Sequence, residues 1–448
     1  MAVFNVATAA ELGTAIGRAA GGDRIVLAAG EYGGLRVQNR AFASNVTIAA
    51  QPGARVVFDG LNIQNVSNLS LAGIEIARPL REGEPDFFQI GAIRSSSNIR
   101  LDDVFLHGSL DDTPWNDGRG LQINGSTNVT ITGSRFVELN QAVSIFKSAN
   151  IVIRNNTFDE VRADGITVAS TDGIVIDGNR MTNMEPRPGD HADFIQFWNT
   201  NETKGSSNAT IKNNILWQDN PDDTVGTQGI WISDPLTFGY RNFLIQNNII
   251  YSNNQFNGIG VRSTTDLQII GNTVLSQSDD SRQLWIRLEN NTNTMVAANV
   301  TDNILLTNMT RLVMGPNINF AVSPALRANI PDLAAPDGIT DLLYTGHGYQ
   351  TPSATPAAPV SSAIGSGLGS VLSRISGAGL TSAAVSLVPL TEVTGDVPAA
   401  APEPLPALDT IFSTGAAMVP LAPAPAADVF APLLAPMPFA CEPFVALP

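Results

Sequence analysis

The sequence predicts an all-β solenoid of stacked parallel strands, and three observations predict it. The first is a recurring unit. Ser67-Asn-Leu-Ser-Leu, Ser97-Asn-Ile-Arg-Leu, Thr127-Asn-Val-Thr-Ile, Ala149-Asn-Ile-Val-Ile, Ser207-Asn-Ala-Thr-Ile and Arg241-Asn-Phe-Leu-Ile are near-copies, with Thr171-Asp-Gly-Ile-Val-Ile and Thr265-Asp-Leu-Gln-Ile as variants. They recur every 22–35 residues, a spacing typical of repeat architectures. The second is the alternation of apolar residues in runs too short for helices, joined by Asn, Gly and Asp turns. One such unit cannot bury its apolar face alone, and stacking the units makes one continuous core. The third is a column of asparagines, Asn156, Asn179, Asn214, Asn248 and Asn272, six residues after the Asn or its equivalent. Asparagine at a bend tolerates left-handed dihedrals and bonds nearby backbone. In successive coils the amides can also bond one another as a ladder. Together these specify a parallel β-helix.

Residues 7–20 read as a short amphipathic helix, with Thr8 as N-cap and Leu12, Ile16 and Ala19 on one face. Gly21 and Gly22 end it, and strand Arg24–Ala28 and the turn Gly30-Glu31-Tyr32 follow. A helix there suits the end of a strand stack, whose bare edge would otherwise invite aggregation. Three regions result: a cap and first coil (1–35), the β-helix (36–320) and an extension (321–448). Residues 351–448 are rich in Pro, Ala, Ser and Gly, with one arginine, Arg374, and no lysine. Ser361–Gly377 has weak helical character, and apolar pieces such as Leu433–Phe439 recur between prolines. The extension reads either as a linker or tail, or as an extended segment that packs along the solenoid or joins a neighbouring subunit, for instance in a homotrimer, or a particle.

Composition narrows the partners. A net charge of −16 with three lysines gives no basic footprint for nucleic acid. No stretch is apolar enough to span a membrane. One cysteine, Cys441, excludes an intrachain disulfide framework. The N-terminus lacks a basic segment followed by an apolar run, so no Sec signal peptide is visible.

The N-terminal helix, the Gly-Asp-Arg-Ile-Val-Leu…Gly-Glu-Tyr opening (residues 22–32) and the Asn-x-x-Ile-x-x-Asn units together resemble the right-handed parallel β-helix (pectate lyase-like) superfamily. The resemblance covers roughly residues 5–315. That superfamily contains polysaccharide lyases, C5-epimerases and phage tailspikes and depolymerases. The resemblance therefore implies a right-handed coil, a polysaccharide partner and a place outside the cell or on a phage-like particle. One fold hosts many chemistries. The arginine motif of pectate lyases and the Asp-Pro-His segment of alginate epimerases are not reproduced.

A second strand precedes each Asn unit: Gly120-Leu-Gln-Ile-Asn, Ala142-Val-Ser-Ile-Phe, Gly165-Ile-Thr-Val-Ala, Phe194-Ile-Gln-Phe-Trp, Gly229-Ile-Trp-Ile-Ser, Gly258-Ile-Gly-Val-Arg and Gln283-Leu-Trp-Ile-Arg. Strand side chains alternate. With Ile, Val and Leu inward, one outward column is Gln122, Ser144, Thr167, Gln196, Trp231, Gly260, Trp285, and a second is Asn124, Phe146, Ala169, Trp198, Ser233, Arg262, Arg287. Trp231 and Trp285 are then expected on one line roughly 10 Å apart. Exposed aromatics beside amides and arginines suit a sugar chain. Insertions before these strands would wall the face: Asp111–Arg119 with Trp115, Glu185–Asp193, and Asp219–Asp223.

The chemistry concentrates in Asp190-His191-Ala192-Asp193. His191 titrates near neutrality and suits general acid–base work. A β-elimination or C5-epimerisation on a uronate needs a base for the C5 proton, a cation for the carboxylate, and an acid. His191 is the candidate base and Arg262 or Arg287 the carboxylate partner. Asp190 and Asp193 are orienters or, with Asp164, Ca²⁺ ligands. Asp164 and Asp193 occupy equivalent positions just before their strands, so paired-carboxylate hydrolysis is open too. Gln196, Trp198, Trp231, Trp285, Arg287 and Trp115 are the expected glycan contacts. Catalytic action and non-catalytic gripping, as by a spike or adhesin, both fit these residues.

Overall fold

The computed structural model of the chain describes residues 1–199, 202–218, 226–233, 238–276, 282–327 and 346–352. The repeats wind into a parallel β-helix with three strands per coil. Strands of sheet 1 include Arg119–Asn124, Val143–Phe146, Ile166–Ala169, Asp193–Trp198, Gln228–Ser233, Asn257–Arg262 and Trp285–Glu289. Sheet 2 carries the Asn units, from the second half of Gly60–Ala72, which pairs with Ser97–Asp102, to Thr310–Met314. Sheet 3 has twelve parallel strands among the described residues, from Gly30–Glu31 to Ile318–Asn319.

The core follows from the alternation. In sheet 2, Ile153 pairs with Ile176, Ile176 with Ile211, Ile211 with Ile245 and Ile245 with Ile269. All five are fully buried. One row of identical methyl-rich side chains thus stacks along the axis at the strand spacing, about 4.8 Å.

The asparagines divide the two tasks expected of one column. Left-handed backbone belongs to the first Asn of each unit and to the residue before the column: Asn128, Asn150, Asn155, Asn208, Asn213, Asn242 and Asn247 all have φ between 54° and 60°. Short polar side chains tolerate that region best. The column itself, Asn156, Asn179, Asn214, Asn248 and Asn272, is buried and forms an amide ladder. Each Nδ2 donates to the next Oδ1 at 2.9–3.0 Å, and Asn299 and Asn317 continue it.

The N-terminal helix runs Ala9–Arg18. Thr8 Oγ1 accepts from the Glu11 N–H at 3.2 Å, and the Glu11 carboxylate accepts from the Ala7 N–H at 2.8 Å, a variant of the capping box whose return bond ends one residue before the N-cap. Leu12, Ala15 and Ala19 are buried against the first coil. Of the extension, residues 321–327, with the helical turn Pro324–Arg327, and 346–352 are described: Tyr349 packs with Trp217 and Tyr251 on the sheet 3 side, and its N–H donates to Thr273 Oγ1 at 2.9 Å. Ser361–Gly377, Leu433–Phe439 and the rest of the extension lie outside the described residues.

Candidate functional site

Three elements build the site: sheet 1, the turns that lead into it from sheet 3, and a polar residue at the start of each sheet 1 strand. In neighbouring coils the last of these are Gln141, Asp164, Asp193, Gln228 and Asn257, each three residues before Ser144, Thr167, Gln196, Trp231 and Gly260. The ladder pairs those five in register. Their predecessors therefore form a row along the rim.

Asp164 and Asp193 sit next to each other in this row. Asp164 Oδ1 accepts the Asp193 N–H at 3.2 Å. Its Oδ2 accepts from Gln141 Nε2 at 2.8 Å and Thr167 Oγ1 at 2.9 Å. Burial, and then the charge of Asp193, push the Asp164 carboxyl up to about 6. Asp193 is fully buried. Its Oδ2 meets His191 Nδ1 at 3.0 Å and accepts from Gln196 Nε2 at 2.6 Å, while its buried Oδ1 has no hydrogen-bond partner among the described residues.

His191 is the accessible member, its side chain 38% exposed. The charge of Asp193 raises its imidazole to about 9 against the opposing cost of burial. Its Nε2 meets Gln228 Nε2 at 2.7 Å. Asn257 Nδ2 donates to Gln228 Oε1 at 2.6 Å, and Trp285 Nε1 donates to Asn257 Oδ1 at 2.7 Å. The Trp231 ring stands edge-on to the imidazole, centroids 6.1 Å apart.

The outward columns differ from expectation in register. The strand register runs two residues beyond the expected one and sets Arg287 opposite Gly260 and Glu289 opposite Arg262, while an irregularity between Asn257 and Ile259 leaves Trp285 opposite Asn257. Trp231 and Trp285 are therefore not on one line, and Arg262 and Arg287 are not in one column. Both arginines approach Glu289, at 3.7 and 3.8 Å. Arg262 lies two coils from the Asp193 strand, roughly 10 Å along the axis. Trp231 points outward yet is only 4% exposed. Its ring lies across Gly260, where a Cβ would come 2.6 Å from it. Trp285 is half-buried under Phe256, stacked at 4.7 Å. Trp198 is also half-buried. The face is polar with recessed rings rather than an open aromatic strip.

The walls hold each other. Trp115 is 42% exposed, and its Nε1 donates to Glu185 O at 2.8 Å while Arg187 lies over its ring. Asp190 turns away from its sequence neighbour: its carboxylate takes a bidentate contact from Arg162 at 2.9 and 3.1 Å, and Arg162 also donates to Asp86 at 2.7 Å. Asp190 thus ties two turns together instead of joining Asp164 and Asp193 as a third cation ligand. Among the described residues, the three carboxylates that do converge within 4.8 Å are Asp111, Asp117 and Glu138, beside the Trp115 turn. Burial raises Asp117 to about 6. Glu160 nearby reaches about 7 through burial and the adjacent Asp159 and Glu138. The expected wall at 219–223 lies outside the described residues.

Residues 115–309 match the family model for a right handed beta helix region. The fold is a right-handed parallel β-helix. Among solved structures, this β-helix is similar to PfbA, a surface adhesin of Streptococcus pneumoniae, at 13% identity and a TM-score of 0.44, covering 69% of this chain and 86% of that one. It is similar to the PL6 family alginate lyase AlyGC at 14% and 0.41, covering 68% and 49%. A GH136 lacto-N-biosidase from Eubacterium ramulus matches at 12% and 0.38, covering 71% and 66%. Likeness at this level does not extend to substrate or reaction. No curated protein matches the β-helix in sequence.

Gln228 and Asn257 were not singled out by the sequence reading. Their signal is a polar residue directly before Gly-Ile, shared by Asp164-Gly-Ile, Gln228-Gly-Ile and Asn257-Gly-Ile.

Proposed function

We propose that the walled face of sheet 1 binds a polysaccharide chain and that His191 performs acid–base chemistry on it, on an acidic glycan in a lyase or epimerase reaction. One observation carries this: an accessible imidazole is backed by two buried carboxylates, one of them without a partner on Oδ1 among the described residues. Burying charge without full compensation costs stability, and such arrangements cluster where a group's proton affinity is being set for work. The polar row runs along the solenoid axis across several coils, which fits an extended, repetitive ligand better than a small one. Arg262 and Arg287 supply positive charge on the same face for a carboxylate further along the chain. A glycan partner fits a protein working outside the cell or on a particle surface. Calcium enters this reading only as a partner of the acidic groups, Asp164 and Asp193 among them.

The test is incubation with uronate-containing and capsular polysaccharides, read by ultraviolet absorbance of unsaturated ends and by chain length. Turnover that is lost in His191→Ala with binding retained supports the assignment. Unaltered turnover in that variant overturns it. Binding with no chemical change to the glycan removes the catalytic half and leaves a gripping protein of the adhesin or spike kind. For that outcome a native mass of three chains would support the particle-bound form.

A further inference from the structure

Past the far ends of the sheet 1 strands, where the chain turns toward sheet 2, lies an open recess of about 550 Å³ that the His191 site does not use. That volume falls within the ~300–1,000 Å³ range of small-ligand sites. Its floor is backbone. A Cβ on Gly205 would collide with Gly239 O, and one on Gly239 would come 2.9 Å from Ser263 O. Successive coils therefore meet at a point where no side chain fits. Lys204, Phe238 and Arg241 stand around this floor with Ser207 and Thr265. Ser207, Arg241 and Thr265 pair in register from coil to coil, so they follow one another along the solenoid axis. The strand Asp193–Trp198 sets the recess about 16 Å across the sheet from the His191 end, at ~3.3 Å per residue.

The lining has a definite charge. Of the three lysines, Lys147 pairs with Glu202 at 3.6 Å and Lys212 approaches Asp177 at 3.9 Å. Lys204 and Arg241 form no ion pair among the described residues. The acid that feels both is Asp172. Its Oδ1 accepts from Ser207 Oγ at 2.7 Å and Asn208 Nδ2 at 2.6 Å. The Ser207 bond first, and the Lys204 and Arg241 charges after it, hold that carboxyl below the usual range. Two positive groups against one negative leave a local positive spot in a chain of net charge −16. Such a spot concentrates anions that the rest of the surface repels. Phe238, 49% exposed, sets an aromatic ring beside the cations. We propose that this recess is a second binding site, separate from the face of sheet 1, and that it takes a uronate residue of an acidic glycan. Arg241 holds the carboxylate in the paired geometry that suits a guanidinium, with Lys204 as the second cation. The Phe238 ring takes the C–H face of the sugar, and the Thr265 hydroxyl meets one of its hydroxyl groups. Two grips on one chain raise the affinity for a long glycan above that of either alone. The inference takes its sugar class from the proposed function, but its readout lies at Lys204 and needs neither turnover nor the face of sheet 1, so the two fail separately.

The test is nuclear resonance of the full chain labelled with ¹⁵N-lysine, which gives one backbone amide signal each for Lys147, Lys204 and Lys212; Lys204→Arg identifies the signal of interest. Sodium glucuronate is titrated in, and compared with glucose, the ring without the carboxylate, and with sodium acetate, the carboxylate without the ring. Glucuronate shifts the Lys204 signal saturably and leaves Lys212 in place. Glucose and acetate each bind about tenfold more weakly or worse. Arg241→Gln weakens glucuronate by about tenfold, the scale of one charge-assisted hydrogen bond. Phe238→Ala weakens glucuronate and leaves acetate as it was. Both side chains are exposed, so neither variant disturbs the core. A Lys204 signal that glucuronate does not move overturns the proposal. So does glucose or acetate binding as tightly as glucuronate, the acetate result marking a mere anion spot, and so does glucuronate binding indifferent to both Arg241→Gln and Phe238→Ala.

Discussion

Asn214→Ala isolates what the buried amide ladder contributes. Asn214 is fully buried. Its Oδ1 accepts from the Asn179 backbone N–H at 2.9 Å and from Asn179 Nδ2 at 3.0 Å; its Nδ2 donates to Ile176 O at 3.0 Å and to Asn248 Oδ1 at 2.9 Å. Alanine removes all four bonds. The Asn179 N–H loses its partner outright, and one hydrogen of the Asn179 amide follows it. Asn248 Oδ1 keeps its bond from the Asn214 backbone N–H at 3.1 Å. Two stranded buried donors at about 1–3 kcal/mol each put the loss at roughly 2–6 kcal/mol. Asn128→Gly is the control. Asn128 belongs to the exposed outer ladder, bonded to Asn98 at 2.9 Å, and its φ of 55° suits glycine. That change costs less than about 1 kcal/mol, because water replaces the lost bonds. Urea unfolding followed by far-ultraviolet circular dichroism reads both. Equal midpoints for the two variants would refute the view that the buried column holds the coils together.

Gly260→Ala places a methyl group against the Trp231 ring; overpacking of this kind costs about 1–3 kcal/mol, and a red shift of tryptophan emission should report the ring moving toward water. An unchanged spectrum and stability would mean that the ring has room to spare. Stability should fall as pH rises from about 4 toward 9: Asp164, Asp117 and Glu160 hold protons in the fold beyond the pH at which the unfolded chain releases them, and His191 contributes fully below 6.5 and loses its contribution through about 9. Glu160→Gln should flatten that slope around pH 5–7 and stabilise the protein at pH 8 by about 1 kcal/mol after allowing for solvent screening; thermal unfolding across pH checks it, and an unchanged slope would contradict it. If His191 is a base, kcat/KM should climb with pH until its raised midpoint, since only the unprotonated fraction accepts a proton. Arg162→Met should cut the ties to Asp190 and Asp86 and speed proteolysis within 183–192; equal cleavage rates would show that the turn holds by itself.

Fold and coil register were legible because the apolar period and the asparagine spacing are local and repeated. Each copy reinforced the same assignment, and the N-terminal helix, expected over 7–20 from Thr8 and the face of Leu12, Ile16 and Ala19, runs over Ala9–Arg18. The site was legible in part. Asp164 and Asp193 share a position relative to their strands, so coil stacking brings them together. What failed was what one coil does differently. The pairing of Trp285–Glu289 runs two residues beyond the expected register and takes Trp285 out of the Trp231 line, and a slip of two keeps every apolar residue facing inward, so the alternation does not mark it. Asp190 looked like a partner of His191 because the two are adjacent in sequence, whereas a turn directs it to Arg162, 28 residues away. Gln228 and Asn257 gain their importance from contacts between coils, which a strand-by-strand reading passes over. Outward direction was also taken for exposure, and Trp231 separates the two.

The central claim is that the face of sheet 1 carrying His191, Trp198 and Arg287 holds a glycan. Affinity electrophoresis of the full chain through gels containing uronate-rich or capsular polysaccharide tests it directly. Retardation by at least one polymer, retained in His191→Ala and weakened in Trp198→Ala and Arg287→Ala, is the predicted result. Equal mobility with and without every polymer, or retardation indifferent to both substitutions, would contradict it.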